Sequence, residues 1–362
     1  MTPRDRETAN EPAALRVFWD GYGLDRPSGV AAYGQNLALG LAALGITPEV
    51  LVPTAPFLPR LLNSKPLWPR RVARMVDGRV GKGGVLHGLS NFNVARPPRR
   101  PGNAVRTVLT VHDLIPFLCP AGVSTASLLQ LKALLPRALA AADRVICVSE
   151  WTRATVAERY PWAAGKLIVI RHGLAAAPAP APAASAGGPL VLFYQARGET
   201  YKQISIYLDI LTNMGEKARG ILLTDARGRA EAQRTHALLV ANKRLEIHVG
   251  VADAAYQALF SRADVYLHTS RLEGYCLPAA DALRHGVPVV YQAGSATGEL
   301  LSAGVGTPLA PKAAISDWEG AVYEAFARKG TEGYLKARED RLRELPTWDE
   351  TARAHAAIYS GV

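Results

Sequence analysis

Leu174-Ala-Ala-Ala-Pro-Ala-Pro-Ala-Pro-Ala-Ala-Ser-Ala-Gly-Gly-Pro189 lies near the middle of a 362-residue chain. Alternating Pro and Ala removes backbone donors and offers nothing bulky to bury, so the stretch reads as a semi-rigid linker. On either side of it, short apolar segments rich in β-branched residues alternate with helix-length segments. Before it the strand-like segments are 15–19, 49–52, 107–111, 144–148 and 167–170; after it they are 190–194, 220–224, 245–249, 263–268 and 287–291. Strand, helix, strand in repetition implies parallel sheets covered on both faces. The expected architecture is α/β, with two Rossmann-like doubly wound parallel-sheet domains: residues 1–173, the linker 174–189, and residues 190–345. The tail 346–362 opens with Thr347 as an N-cap and Glu350 three residues on, the pattern that starts a helix. Two such domains facing each other leave a cleft, and ligands of doubly wound sheets sit beyond the carboxyl ends of the strands. The site is therefore expected between the domains.

Composition narrows the class. Nearly half of the residues are apolar and a fifth are charged, ample for two cores and unlike a disordered chain. Three scattered cysteines argue against a disulfide framework or a cysteine-based zinc site and suit a reducing cytoplasm. No apolar run approaches the roughly 20 residues of a spanning helix. The charge is uneven. Residues 1–188 hold 22 basic and 11 acidic side chains and the rest 20 of each, so the formal +11 belongs to the first half. Lys65, Arg70, Arg71, Arg74, Arg79 and Lys82, then Arg96, Arg99, Arg100 and Arg106, cluster there around Leu67 and Trp68. Such a stretch suits an anionic membrane surface or a phosphorylated glycolipid. Nucleic acid is not expected, because the charges lack interleaved aromatics and no recognition motif is present.

Four segments carry chemistry. Ser270-Arg-Leu-Glu273-Gly274-Tyr275-Cys276-Leu277-Pro278-Ala-Ala-Asp281 follows a strand-like segment with an acid, a glycine turn and a helix start whose free N–H groups bind anions. Glu273 can accept from sugar hydroxyls, and Asp281, eight positions on, is expected about two helical turns along on the same side. Phe193-Tyr-Gln-Ala-Arg197-Gly-Glu-Thr-Tyr-Lys202-Gln203 places a planar cation and a compact one on a single loop, where both can reach a leaving diphosphate. Val108-Leu-Thr-Val-His112-Asp113 is a strand running out into His-Asp. Trp19-Asp-Gly-Tyr-Gly-Leu-Asp-Arg-Pro-Ser28-Gly29 is a strand, a loop and a helix beginning near Gly29, which lets a ligand approach the backbone.

The Glu273 segment resembles the Glu, seven residues, Glu signature of family-4 glycosyltransferases, and the Arg197 loop resembles their Gly-Arg-x-x-x-x-Lys-Gly. The resemblance implies the GT-B fold, retention of anomeric configuration, and a nucleotide diphosphate sugar donor with no other cofactor. It also implies that the 346–362 helix returns to the first domain. By resemblance Glu273 meets the donor sugar, Asp281 the ribose, and the backbone of Gly274, Tyr275, Cys276 and Leu277 the diphosphate. Arg197 and Lys202 become the phosphate pair, His112 reaches the sugar from the opposite wall, and Gly29 takes the place of the family's first-loop glycine. Asp281 stands for the usual Glu, and Cys276, Ala196 and Gln203 stand where glycines are common. His-Asp-Leu sequences of this kind look like those of bacterial mannosyltransferases of surface polysaccharide or lipopolysaccharide synthesis. That favours a GDP- or UDP-linked hexose, mannose first, and a glycan or glycolipid acceptor.

No Asp-x-Asp loop, His-Glu-x-x-His, phosphate loop or nucleophile elbow occurs, so the expected transfer uses no metal. The expected location is the cytoplasm, on the inner face of the plasma membrane. Two other readings stay open: a sugar-nucleotide epimerase, which would share the architecture, and a non-catalytic basic binding protein.

Overall fold

The structure, a computed structural model, describes residues 15–25, 28–52, 68–77, 84–97, 105–178, 187–301 and 304–361. The first sheet contains β1 (Arg16–Asp20), β2 (Glu49–Leu51), β3 (Gly84–Gly88), β4 (Val105–Val111), β5 (Arg144–Cys147) and β6 (Leu167–Val169). The second contains β7 (Leu190–Gln195), β8 (Ala218–Thr224), β9 (Leu245–Val249), β10 (Val265–His268), β11 (Val289–Gln292) and β12 (Gly306–Leu309). Their orders are β2-β1-β3-β4-β5-β6 and β12-β11-β10-β7-β8-β9, with every pair parallel. The expected α/β architecture of two doubly wound sheets is what the chain adopts.

The apolar runs explain the layers. Alternate residues of the first sheet point to opposite faces: Phe18, Leu86, Leu109 and Val145 into one core, Val17, Val85, Val108 and Ile146 into the other. In the second sheet the chain runs outward from β7 through β8 to β9, then returns to the other side of β7 with β10. Connections leaving β7 and β10 therefore diverge, and the crevice for a ligand opens there.

The helix Trp348–Ser360 closes the second face of the first sheet. Its Ala352 and Tyr359 belong to that core, and it packs along the helix Gly29–Ala43. Thr347 caps it in a full capping box with Glu350. The chain thus crosses between the halves twice, side by side: Leu174 pairs with Thr347, and the Leu174 N–H donates to the Pro346 carbonyl at 2.8 Å. Gly173 is required at this crossing, because a Cβ would strike the Trp348 backbone.

Two strands, β3 and β12, fall outside the sequence expectation. β3 is a five-residue Gly-Val-Leu-His-Gly bounded by glycines, and β12 is an edge strand containing Pro308, so neither has the length or composition that marks a strand. The basic stretch also needs revision. Lys65, Leu67, Arg79, Lys82, Arg99 and Arg100 lie outside the described residues. Trp68 is no outward anchor: its indole donates to Asp20 Oδ1 at 2.7 Å and packs edge-on against Tyr22. Arg96 pairs with Asp143 at 2.6 Å and Arg106 donates to the Tyr359 carbonyl. Arg70 and Arg74 are exposed. Among the described residues no helix is long and apolar enough to cross a membrane.

Candidate active site

Beyond β7 the chain passes Arg197, makes one tight turn over Thr200–Lys202 and enters the helix Ile204–Met214. Beyond β10 it passes Ser270 and Glu273 before the helix Leu277–Arg284. These are the two connections that diverge at the switch in strand order, and their side chains meet. Lys202 Nζ lies 2.6 Å from Glu273 Oε1, with side chains only 17% and 12% exposed. Burial is the largest single influence and opposes the charge of each, but the neighbours together outweigh it, Glu273 with Tyr201 and Tyr194 around Lys202, and Lys202 with His268 and Ser270 around Glu273. Lys202 is held above the ordinary lysine pKa and Glu273 below the ordinary carboxylate value. Both are ionised at neutral pH. The loops are tied to one another as well. Thr269 Oγ1 donates to the Lys202 and Gln203 carbonyls at 3.2 and 3.0 Å, and the Arg271 N–H donates to the Tyr201 carbonyl at 2.9 Å.

Gln203 and Cys276 hold left-handed backbone, with φ of 52° and 81°. These are positions where the family motif commonly has glycine, so the loop path survives the substitutions at a backbone cost of about 1 kcal/mol each. Behind Glu273 stands the buried ring of His268, whose Nε2 is 3.4 Å from Glu273 Oε1 and 3.5 Å from Cys276 Sγ. Burial lowers His268 to about 4, so it is neutral, and burial raises the Cys276 thiol.

The first half meets this site at the end of β4. Gly274 packs against the His112 carbonyl so closely that a Cβ would collide with it. Thr152 Oγ1, 3.1 Å from His112 O and 3.4 Å from Gly274 O, spans the same junction. His112 turns its ring away, donating from Nε2 to the Leu89 carbonyl at 2.8 Å, and burial lowers it to about 4. Tyr275 likewise serves the junction, its hydroxyl donating to the His172 carbonyl at 2.7 Å. Gly29 opens the first helix of its half, with Ser28 as cap and open space where a Cβ would stand.

Two of the expected residues stand apart. Arg197 is 64% exposed and 3.7 Å from both Glu199 and Asp225, on the rim of the site. Asp281 does not share a helical face with Glu273, because the helix begins at Leu277 and Glu273 lies in the turn before it. Its carboxylate is taken up by the Tyr256 hydroxyl at 2.8 Å and by Arg284 at 3.1 Å.

Other groups are close by. Asp113, next to His112, lines a 310 Å³ cavity with Ser124, Ser127, Glu199, Tyr201 and Arg227. It is half-buried, and its pKa is raised by desolvation and by Glu273. Side-chain oxygens of Gln195, Glu199, Gln203 and Thr224, all near the carboxyl ends of β7 and β8, are buried without a hydrogen-bond partner. Acceptors stranded in this way suit hydroxyl donors such as those of a sugar. His-Asp in the sequence pointed toward Asp113; His268, inside an apolar strand, carried no signal.

Comparison with known proteins agrees with this geometry. A model of glycosyltransferase family 4 matches residues 27–177, and one of family-4 glycosyltransferases in conflict systems matches residues 132–356. The chain belongs to glycosyltransferase family 4 and is a glycosyltransferase of the GT-B fold. No curated protein sequence matches it significantly. Among solved structures, a sucrose-phosphate synthase from Thermosynechococcus elongatus is 18% identical, with TM-score 0.73 over 96% of this chain and 98% of that one. Anabaena HepE in complex with UDP and glucose is 17% identical, with TM-score 0.70 over 96% and 99%. WaaG, a glycosyltransferase involved in lipopolysaccharide biosynthesis, is 13% identical, with TM-score 0.69 over 96% and 99%.

Proposed function

We propose that this protein is a retaining hexosyltransferase that takes its sugar from a nucleoside diphosphate, GDP or UDP, without a metal ion. The observation that carries the reading is the part-buried Lys202–Glu273 pair at the switch between β7 and β10. As the bond between the anomeric carbon and the phosphate oxygen breaks, its electron pair passes to the diphosphate. Lys202, with Arg197 from the rim, neutralises that charge in a water-poor site, where each such contact is worth most. Glu273 orients the sugar hydroxyls. The acceptor hydroxyl attacks from the same face and gives its proton to the departing phosphate oxygen. Asp113 and its cavity lie on the acceptor side. His112, Gly29, the Gly274–Leu277 backbone and Asp281 are assigned to donor contact, which requires the closed Gly274–His112 junction and the Asp281–Arg284 pair to loosen when the donor enters.

Mannose is the preferred hexose and a surface glycan or glycolipid the preferred acceptor, on the His-Asp-Leu resemblance. Exposed Arg70 and Arg74 would hold the enzyme at the anionic inner face of the plasma membrane. The test is a nucleotide-sugar screen by thermal shift, followed by turnover assays with lipid-linked and polysaccharide acceptors in EDTA. Turnover that survives EDTA with retention at the anomeric carbon is the expected result. Activity abolished by EDTA and restored by manganese overturns the metal-free mechanism, and sugar released without any acceptor favours an epimerase.

A further inference from the structure

Cys276 adopts a backbone conformation that disfavours any side chain, yet it carries a thiol, and the thiol faces His268. A methylene and a sulfur at φ 81° are an expense that a glycine would avoid. The three groups assembled there are an imidazole, a thiol and a carboxylate. One ligand atom from each of His268, Glu273 and Cys276 lies within 4.8 Å of the others.

Two of the separations match a tetrahedral zinc site, although Cys276 Sγ, 3.5 Å from Nε2 and 3.6 Å from Nδ1, lies over the His268 ring face and must swing toward the Nε2 lone pair to share an ion with it. Bonds of about 2.3 Å to sulfur, about 2.0 Å to imidazole nitrogen and about 2.1 Å to carboxylate oxygen place S and N about 3.6 Å apart and N and O about 3.4 Å apart. The structure has Cys276 Sγ 3.5 Å from His268 Nε2, and His268 Nε2 3.4 Å from Glu273 Oε1. The His268 ring packs edge-on to Tyr194 at 6.1 Å and parallel to Tyr266 at 6.3 Å, so the Cys276 and Glu273 side chains are the ones that turn to meet an ion in its plane. Nitrogen with sulfur and a single oxygen selects zinc-class cations over magnesium or calcium. The rival for the oxygen is the Lys202 ammonium at 2.6 Å, which a bound ion must displace.

We propose that His268, Glu273 and Cys276 form an inhibitory binding site for a soft divalent cation of the zinc class, which captures Glu273 and expels Lys202. Binding moves the Cys276 proton to solvent and leaves a fourth position open to water. The inhibition, though not the binding, rests on Glu273 and Lys202 serving the sugar donor.

Cobalt(II), whose absorption reports its ligands, tests the binding with metal alone. Titrating the full chain should give one equivalent of tetrahedral d–d bands with a thiolate charge-transfer band, displaced by zinc. A Cys119→Ser, Cys147→Ala variant, which leaves Cys276 as the only thiol, should keep both bands. Cys276→Gly, which relieves the backbone, should lose the charge-transfer band and bind at least tenfold more weakly. Lys202→Met should bind at least tenfold more tightly, since its competing charge is gone. Bands that survive Cys276→Gly, no bands in the natural chain, or no tightening in Lys202→Met overturn the site. Nucleotide-sugar thermal shifts measured without metal judge the donor reading separately. If they are positive and persist undiminished in saturating zinc, the site binds metal but the inhibition is refuted.

Discussion

Beneath the helix Trp348–Ser360, the first half buries a neutral network: Tyr33 bonds His355 at 2.7 Å and Thr110 at 3.1 Å, while His87 bonds Thr110 at 2.8 Å and Tyr359 at 2.7 Å. At the mouth of the second sheet, Lys202 and Glu273 hold full charges largely out of water, with side chains 17% and 12% exposed. Hydroxyls and imidazoles satisfy one another without any charge to strip of water, so the first arrangement fixes the geometry of a core at little electrostatic cost. A buried ion pair is poor for stability against an apolar replacement, yet ruinous to break on one side. Among the described residues the first half has no ion pair as deeply set, while the second has Lys329–Asp264 before the amino end of β10 as well as Lys202–Glu273 beyond the carboxyl ends of the strands. Of these two, only the latter stands where a developing negative charge would be met.

Breaking the charged side should cost most. Lys202→Ala should lower kcat by roughly a hundredfold or more, on the scale of lost transition-state electrostatics. It should also destabilise the fold by about 3–5 kcal/mol, since Glu273 is left unpaired. Steady-state kinetics and urea unfolding read the two effects; a raised KM with unchanged kcat would make Lys202 a binding group only.

Acid attacks the neutral side. His355 and His112 titrate near 4 in the fold against 6.5 when exposed, and His87 and His172 lie well below 6.5, all through burial. The unfolded chain therefore takes up protons first as pH falls through about 6.5, and stability drops from there until about pH 4. At pH 5 one such histidine accounts for about 2 kcal/mol. Unfolding midpoints at pH 7 and 5 should show this loss, and His355→Gln should shrink it by about that amount while lowering stability at pH 7.

Tyr359→Phe removes the hydroxyl shared by His87 and Trp19 and should cost about 1–3 kcal/mol without the kinetic collapse of Lys202→Ala. An equal loss of kcat would erase the contrast between the halves. The smallest effect should be a gain: Gln203→Gly relieves left-handed backbone and should stabilise by about 1 kcal/mol, seen as a raised melting temperature.

The doubly wound halves were legible because buried parallel strands must be continuous apolar runs, and 245–249 matches β9 from end to end. The capping box at Thr347 and Glu350 is local chemistry and was equally readable. Lys202 and Glu273 were each picked out, but not that they touch, since 71 residues separate them and only the strand order joins their loops. Asp281 was placed on the right helix and given the wrong neighbours, because Tyr256 and Arg284 reach it through packing that spacing cannot express. His268 looked like one more strand residue until its ring was seen between Glu273 and Cys276.

The double crossing at Leu174 and Thr347 also sets an order of events during synthesis. Residues through 173 leave the ribosome long before Ala352 and Tyr359, which their core needs. At about 5–20 residues per second, that core waits roughly 10–35 s for its last helix. Meanwhile the second sheet, whose core is drawn almost entirely from its own strands and helices, emerges and can close. The half made first is thus the half finished last, and for that interval the nascent chain exposes the part of the first sheet's second face, beside the helix Gly29–Ala43, that Ala352 and Tyr359 will cover.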